Sequence, residues 1–134
     1  MKALVFGEIL WDIIEEVPHL GGAPLNFAAH LVKSGAESHI ISALGNDALG
    51  DQAHQAVDTL GVKTKGIQRN AFPTGTVDVF LEDGQPDYLI HTDVAFDHIQ
   101  AAKPAEVGFD LFYFGTLAQR SKESRATLYQ LLDF

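Results

Sequence analysis

An α/β fold, built on a parallel sheet with helices packed against it, is what the order of apolar runs predicts for this chain. Over the first sixty residues the runs read strand, helix, strand, helix. A hairpin signal then interrupts the alternation, and a buried-strand run followed by a capped helix resumes it near the end.

Residues 3–6 (Ala-Leu-Val-Phe) form a short apolar run ended by Gly7, the pattern of a buried strand. Residues 11–15 read as an extended segment leading into a turn over 18–22. From Pro24 to Ser34, apolar residues at Leu25, Ala28, Leu31 and Val32 mark one face of a helix. Gly35 suits the position just past its end. Residues 40–44 are the next strand, and Ala53, Ala56, Val57 and Leu60 repeat at helical spacing before Gly61. Val77, Val79 and Leu81 then alternate with Thr76, Asp78 and Phe80, a half-buried strand. Asp83-Gly84 is a two-residue hairpin signal, and residues 88–91 are the returning strand. A hairpin inserted here must project from the parallel sheet or form a second small sheet. Leu111-Phe112-Tyr113-Phe114 returns to the buried-strand pattern. Ser121 caps a last helix with Glu123 in its first turn and Leu128, Leu131 and Leu132 as its apolar residues.

A chain of 134 residues is long enough for one domain with a real core. The formal net charge of −9, with nine scattered basic residues and no basic run, disfavours nucleic acid and anionic membranes as partners. With no cysteine, disulfides, thiolate nucleophiles and cysteine-based zinc sites are excluded. The apolar run after Lys2 is too short for a signal core or a membrane span. A cytoplasmic, soluble protein is therefore expected. The six histidines show no metal-binding spacing, so no metal ligand is assigned.

The run Gly21-Gly22-Ala23-Pro24-Leu25-Asn26 carries the most chemistry. Adjacent glycines allow a sharp turn and let a ligand approach the backbone closely. Pro24 suits a first helical turn, and Asn26 in that turn can offer its amide to a ligand held over the helix end. A glycine-rich helix entry can also cradle phosphate. The chain lacks both the Gly-Lys-Ser/Thr of a nucleotide phosphate loop and the Gly-x-Gly-x-x-Gly of a dinucleotide fold after the first strand. A neutral polar ligand such as a sugar fits better. Asp12, six residues past the first strand, is placed where α/β sheets bind ligands, and its carboxylate can accept from two sugar hydroxyls at once. Asn46, Asp47 and Asp51 read as capping residues, Glu15-Glu16 as a solvated pair, and Arg120 and Arg125 as helix-surface residues, with a phosphate contact as their alternative.

Residues 21–28, with Gly35 and Gly45, resemble the first signature of the ribokinase-like sugar kinases, the PfkB carbohydrate kinases, and in particular their fructokinase branch. Residues 7–12, 45–51, 73–77 and 114–117 extend the resemblance over nearly the whole chain. The family's second signature, Gly-x-Gly-Asp, is absent from these residues, and members are about twice as long or more. The resemblance implies a ribokinase-like parallel sheet with helices on both faces and a small β-sheet lid. Residues 1–134 would be the N-terminal part of one such domain, with lid segments at about 11–20 and 74–97. It implies transfer of a phosphoryl group from ATP, with Mg²⁺, to a primary hydroxyl of a furanose-type sugar, fructose being the best guess. Asp12, Gly21, Gly22 and Asn26 would hold that sugar, joined by His91 and Phe96 from the lid segment. The proton-accepting Asp would lie beyond Phe134, as would most of the ATP and Mg²⁺ site, so these residues alone are expected to be inactive and no catalytic residue is named among them. A homodimer through the lid is a further expectation. A sugar-binding module without catalysis and a nucleoside kinase of the same fold remain as rival readings.

Overall fold

The computed structural model describes residues 1–133. Its main sheet contains β1 (Lys2–Phe6), β4 (Glu37–Gly45), β5 (Ile67–Asn70) and β8 (Leu111–Phe114), in the order β5-β4-β1-β8. All its pairings are parallel, with β1 running from Lys2↔Glu37 to Phe6↔Ile41 against β4 and from Ala3↔Leu111 to Phe6↔Phe114 against β8. A parallel sheet needs both faces covered, and strand alternation provides two apolar faces. On one face Val5, Ile40 and Leu44 pack with Leu25 and Ala28 of α1 (Ala23–Lys33) and Ala53 and Val57 of α2 (Ala48–Thr59). On the other, Leu4, Phe6, Ile41 and Ala43 pack with Leu128 and Leu131 of α3 (Lys122–Leu132). Each large side chain fully buried in this way contributes about 1.5–3 kcal/mol. Helices on both faces of a parallel sheet are thus what the apolar pattern builds.

A second sheet contains β2 (Leu10–Ile14), β3 (Val17–Gly21), β6 (Gly75–Glu82) and β7 (Gln85–Ile90), in the order β3-β2-β6-β7. Its outer pairs are antiparallel hairpins, and its central pair, β2 with β6, is parallel. Asp83 and Gly84 both take positive φ, 51° and 75°, as the mirror-image turn between β6 and β7 requires. Asp47 caps α2 by accepting from Gly50 N at 2.8 Å, and Ser121 caps α3 by accepting from Ser124 N at 3.4 Å.

Four local expectations change. The chain reverses at Glu15-Glu16, whose φ values are 49° and 68°, and residues 17–21 are an edge strand rather than a turn. Pro18 fits there because an edge strand leaves one row of backbone groups unpaired. The short strand β5 has no forerunner in the pattern. The second sheet ends at Ile90, and Val94, Ala95, Phe96 and Asp97 are buried around a 3₁₀ helix (Ala95–His98). Leu132 is 48% exposed, so Leu128 and Leu131 carry the packing of α3. No described helix is long and apolar enough to cross a membrane.

Candidate functional site

The N-terminus of α1 sits over the C-terminal ends of β1 and β8. Pro24 packs on Gly7 and Gly115, the residues that follow those strands: a Cβ at Gly115 would lie 3.0 Å from Pro24 Cγ, and one at Gly7 would overlap the ring. This is the end of a parallel sheet where α/β proteins bind ligands.

The β2–β3 hairpin delivers the remaining groups to the same end. Asp12 pairs with His19 across the hairpin and with Val77 of β6. Trp11, next to it, points to the opposite face and donates from Nε1 to the Leu49 carbonyl at 2.9 Å, which ties β2 to α2. Asp12 is half-buried; burial raises its carboxyl pKa above the ordinary value, opposed by the charge of His19. Gly21 lies directly against it, since a Cβ there would sit 2.6 Å from Asp12 Oδ2. Gly22 follows with φ 110°, and a Cβ on it would overlap the Glu8 carbonyl oxygen. Only glycine passes the chain through this point without strain. Its carbonyl accepts from Asn26 N at 2.9 Å, the first bond of α1.

The sequence-predicted residues therefore fall into two groups. Asp12, Gly21 and Gly22 form one contiguous patch. Asn26 is exposed one helical turn beyond Gly22, and it borders a cavity of about 550 Å³ with Leu20, Leu25 and His30. His91 follows β7 and its Nε2 lies 2.7 Å from Asp78 Oδ2 on β6. Phe96 is 1% exposed and belongs to the core, where it backs onto Gly75. Its ring offers no free face to a ligand in this structure. The proton-accepting Asp expected beyond Phe134 lies outside the described residues.

Among the capping residues, Asp47 does more than cap. It also accepts from Thr74 N at 2.9 Å and Thr74 Oγ1 at 2.6 Å, joining α2 to the entry of β6. Burial alone would raise its pKa, but the bonds from Thr74 and Gly50 hold it below the ordinary value. Asp51 pairs with Arg69 at 2.5 Å.

Two features escaped the sequence reading. Glu8 is 4% exposed, and its Oε2 has no hydrogen-bond partner. Burial pushes its carboxyl above the ordinary range, against its own backbone hydrogen bond and the charge of Arg120. An acid placed straight after a buried strand was the available signal. Arg120 is not a helix-surface residue. It lies in a 3₁₀ turn (Leu117–Arg120) and grips Asp97 with its Nε and one terminal nitrogen, at 2.8 and 2.9 Å. Elsewhere, Glu37, His39 and Glu106 gather at the opposite end of the sheet, with His39 Nε2 at 3.1 and 3.5 Å from the two carboxylates. Lys2 Nζ pairs with Glu106 at 3.1 Å, so that carboxylate is already matched by a cation, while His39 itself is buried between the two exposed glutamates.

Sugar kinases and fructokinases resemble this chain in sequence and fold. The chain is 35% identical over 102 residues to a putative sugar kinase, PH1459, of Pyrococcus horikoshii, covering 67% of this chain and 33% of that protein. The crystal structure of PH1459 in complex with ATP matches with TM-score 0.80 at 28% identity, over 97% of this chain and 48% of that one. Fructokinase-2 of Solanum lycopersicum is 26% identical, with 90% of this chain and 42% of that protein covered. The structure of Halothermothrix orenii fructokinase matches with TM-score 0.88 at 26% identity, over 99% of this chain and 52% of that one. The chain thus spans from a third to about half the length of these relatives. The fold is that of the ribokinase-like fructokinases. Residues 6–132 match the pfkB family of carbohydrate kinases, and the chain belongs to that family.

Proposed function

We propose that this chain carries the sugar-binding part of an ATP-dependent kinase that phosphorylates a primary hydroxyl of a furanose-type sugar, fructose being the first candidate. The observation that carries the reading is the contact of Gly21 with Asp12 at the C-terminal end of the sheet. A carboxylate beside a backbone bare of side chains can accept from two adjacent hydroxyls while the sugar ring lies against the glycines. Gly22 admits the chain to α1, and Asn26 supplies an amide one turn further on. The kinship with fructokinases supports fructose, and the ATP complex of PH1459 supports ATP as donor.

The second sheet acts as a lid in this reading. Covering the sugar excludes water and favours transfer to the hydroxyl over hydrolysis. His91, held by Asp78 at the lid's root, borders this cover rather than the patch around Asp12. The lid carries exposed apolar residues, among them Phe80 (51%), Leu81 (60%) and Tyr88 (59%). Such a surface supports a homodimer formed through the lid. Phosphoryl transfer depends on positioning and on charge stabilisation around the moving group, which ATP-bound Mg²⁺ would assist. No described residue is assigned to ATP, to Mg²⁺ or to the proton acceptor, so residues 1–134 alone are expected to be inactive.

The test is ATP consumption by the full-length protein with fructose, ribose and adenosine in parallel. Turnover with fructose above the others supports the reading. Turnover with adenosine alone replaces it with a nucleoside kinase, and no turnover with any of them favours a binding module.

A further inference from the structure

Arg120 holds three acceptors that belong to two different parts of the molecule. Its Nε and one terminal nitrogen take the two oxygens of Asp97 at 2.8 and 2.9 Å, and the same terminal nitrogen also donates to the His91 carbonyl at 2.7 Å. His91 is the last residue held by the second sheet, since its N–H donates to Thr76 O at 3.3 Å. Asp97 is only 6% exposed and its Oδ2 also accepts from Val94 N at 3.1 Å. The guanidinium lies 5.0 Å from the centre of the Phe96 ring. Phe96 in turn backs onto Gly75, where a Cβ would come within 2.6 Å of Phe96 Cδ2, and Gly75 pairs with Leu10 at the start of β2. A short path of direct contacts therefore runs from Arg120 to the strand that bears Asp12.

We propose that Arg120 is a positioning residue that clamps the root of the second sheet to the core and thereby sets where that sheet, with Asp12, stands over the sugar. This rests on the reading of Asp12, Gly21 and Gly22 as the sugar site. A planar fork is suited to the task because it meets a carboxylate with two parallel bonds and still donates to a third acceptor. A lysine ammonium keeps the charge but not that geometry. Arg120 touches no reacting atom, so its loss acts through the sugar and not through the nucleotide.

The experiment uses the full-length protein with Arg120→Gln, Arg120→Lys and Asp12→Asn. Hydrogen exchange over residues 76–91 and the KM values for fructose and for ATP are measured on each. In Arg120→Gln, exchange over 76–91 speeds up about tenfold, the fructose KM rises about tenfold and the ATP KM stays within about twofold. Arg120→Lys falls between this variant and the parent. If Arg120→Gln fails to fold, the lysine variant carries the same readouts against the parent. Unchanged exchange and unchanged fructose KM in both variants, with a raised KM in Asp12→Asn, overturn the clamp and leave the sugar site standing. Equal rises in both KM values overturn it as well, because a general loss of structure does not discriminate. An unchanged fructose KM in Asp12→Asn removes the sugar-site reading, and the clamp's role in positioning falls with it.

Discussion

Gly21→Ala separates a binding role from a structural one at the proposed sugar site. A Cβ at Gly21 would stand 2.6 Å from Asp12 Oδ2, close to an ångström inside ordinary van der Waals contact. The obstacle is the end of a side chain, and Gly21 does not need a left-handed backbone, so the carboxylate can withdraw and the fold can persist. The expected change in stability is about 1 kcal/mol or less. The withdrawn carboxylate no longer meets the sugar hydroxyls. A hydrogen bond to a charged group is worth about 1.5–3 kcal/mol, so sugar affinity falls about tenfold to a hundredfold. Gly22→Ala is the contrasting variant. Its φ of 110° and the overlap with the Glu8 carbonyl put the strain on backbone, which cannot yield. About 2–3 kcal/mol of stability is expected to go with it. Calorimetric titration with fructose and with ATP, together with urea denaturation, reads both quantities in the full-length protein. A Gly21→Ala variant that keeps its stability and its sugar affinity would refute the reasoning, as would a loss of stability equal to that of Gly22→Ala.

Other outcomes follow from the same geometry. Asp47→Ala removes a helix cap and leaves the N–H and hydroxyl of the buried Thr74 without their acceptor, so urea denaturation is expected to show a loss of about 2–4 kcal/mol. Because the folded-state pKa of Asp47 is lowered, its contribution is complete above the ordinary value of 3.8 and is lost as pH falls through the folded value. Asp47→Asn should therefore lower stability near neutrality and flatten the acid limb of a stability–pH curve, because no carboxylate is left there to protonate. Glu16→Gly relieves a positive φ of 68° in the β2–β3 turn and should stabilise the protein by about 0.5–1 kcal/mol in the same denaturation assay. The lid reading predicts that hydrogen exchange over residues 76–91 slows when fructose is added to the full-length protein; equal exchange at saturating sugar would make this sheet a static element.

What could be read from the sequence was local. Residues 3–6 are a continuous apolar run because their strand is buried on both faces, whereas the equally apolar run 111–114 is an edge strand that is only partly buried, with Phe114 exposed; Asp83-Gly84 names its own turn. The β2–β3 hairpin stayed hidden because Glu15-Glu16 adopts a mirror-image turn without the glycine or asparagine that usually marks one. With the turn misplaced, Pro18 read as part of a bend instead of an edge strand. Strand β5 is four residues long, Ile67-Gln68-Arg69-Asn70, and only one of them is apolar, so no period could show. Residues 91–97 looked like a continuation of the lid because nothing in their neighbourhood shows that Arg120 draws Asp97 into the core. That ion pair spans 23 positions. The same limit applies to the candidate site. Asp12 and the paired glycines were visible as residue types, but their contact depends on the register that sets Asp12 opposite His19 and Leu10 opposite Gly21. Glu8 looked like one letter of a motif, and only the three-dimensional packing shows a buried carboxyl with an oxygen left unpartnered.

The central claim is that Asp12 holds the sugar, and titration of the full-length protein and its Asp12→Asn variant with fructose and with ATP tests it most directly. An amide in place of the carboxylate keeps the shape and loses the charge that accepts two hydroxyls. Fructose affinity is predicted to fall at least about tenfold, with ATP affinity within about twofold of the parent and the melting temperature of the free protein unchanged. Fructose binding as tight in Asp12→Asn as in the parent would contradict the account.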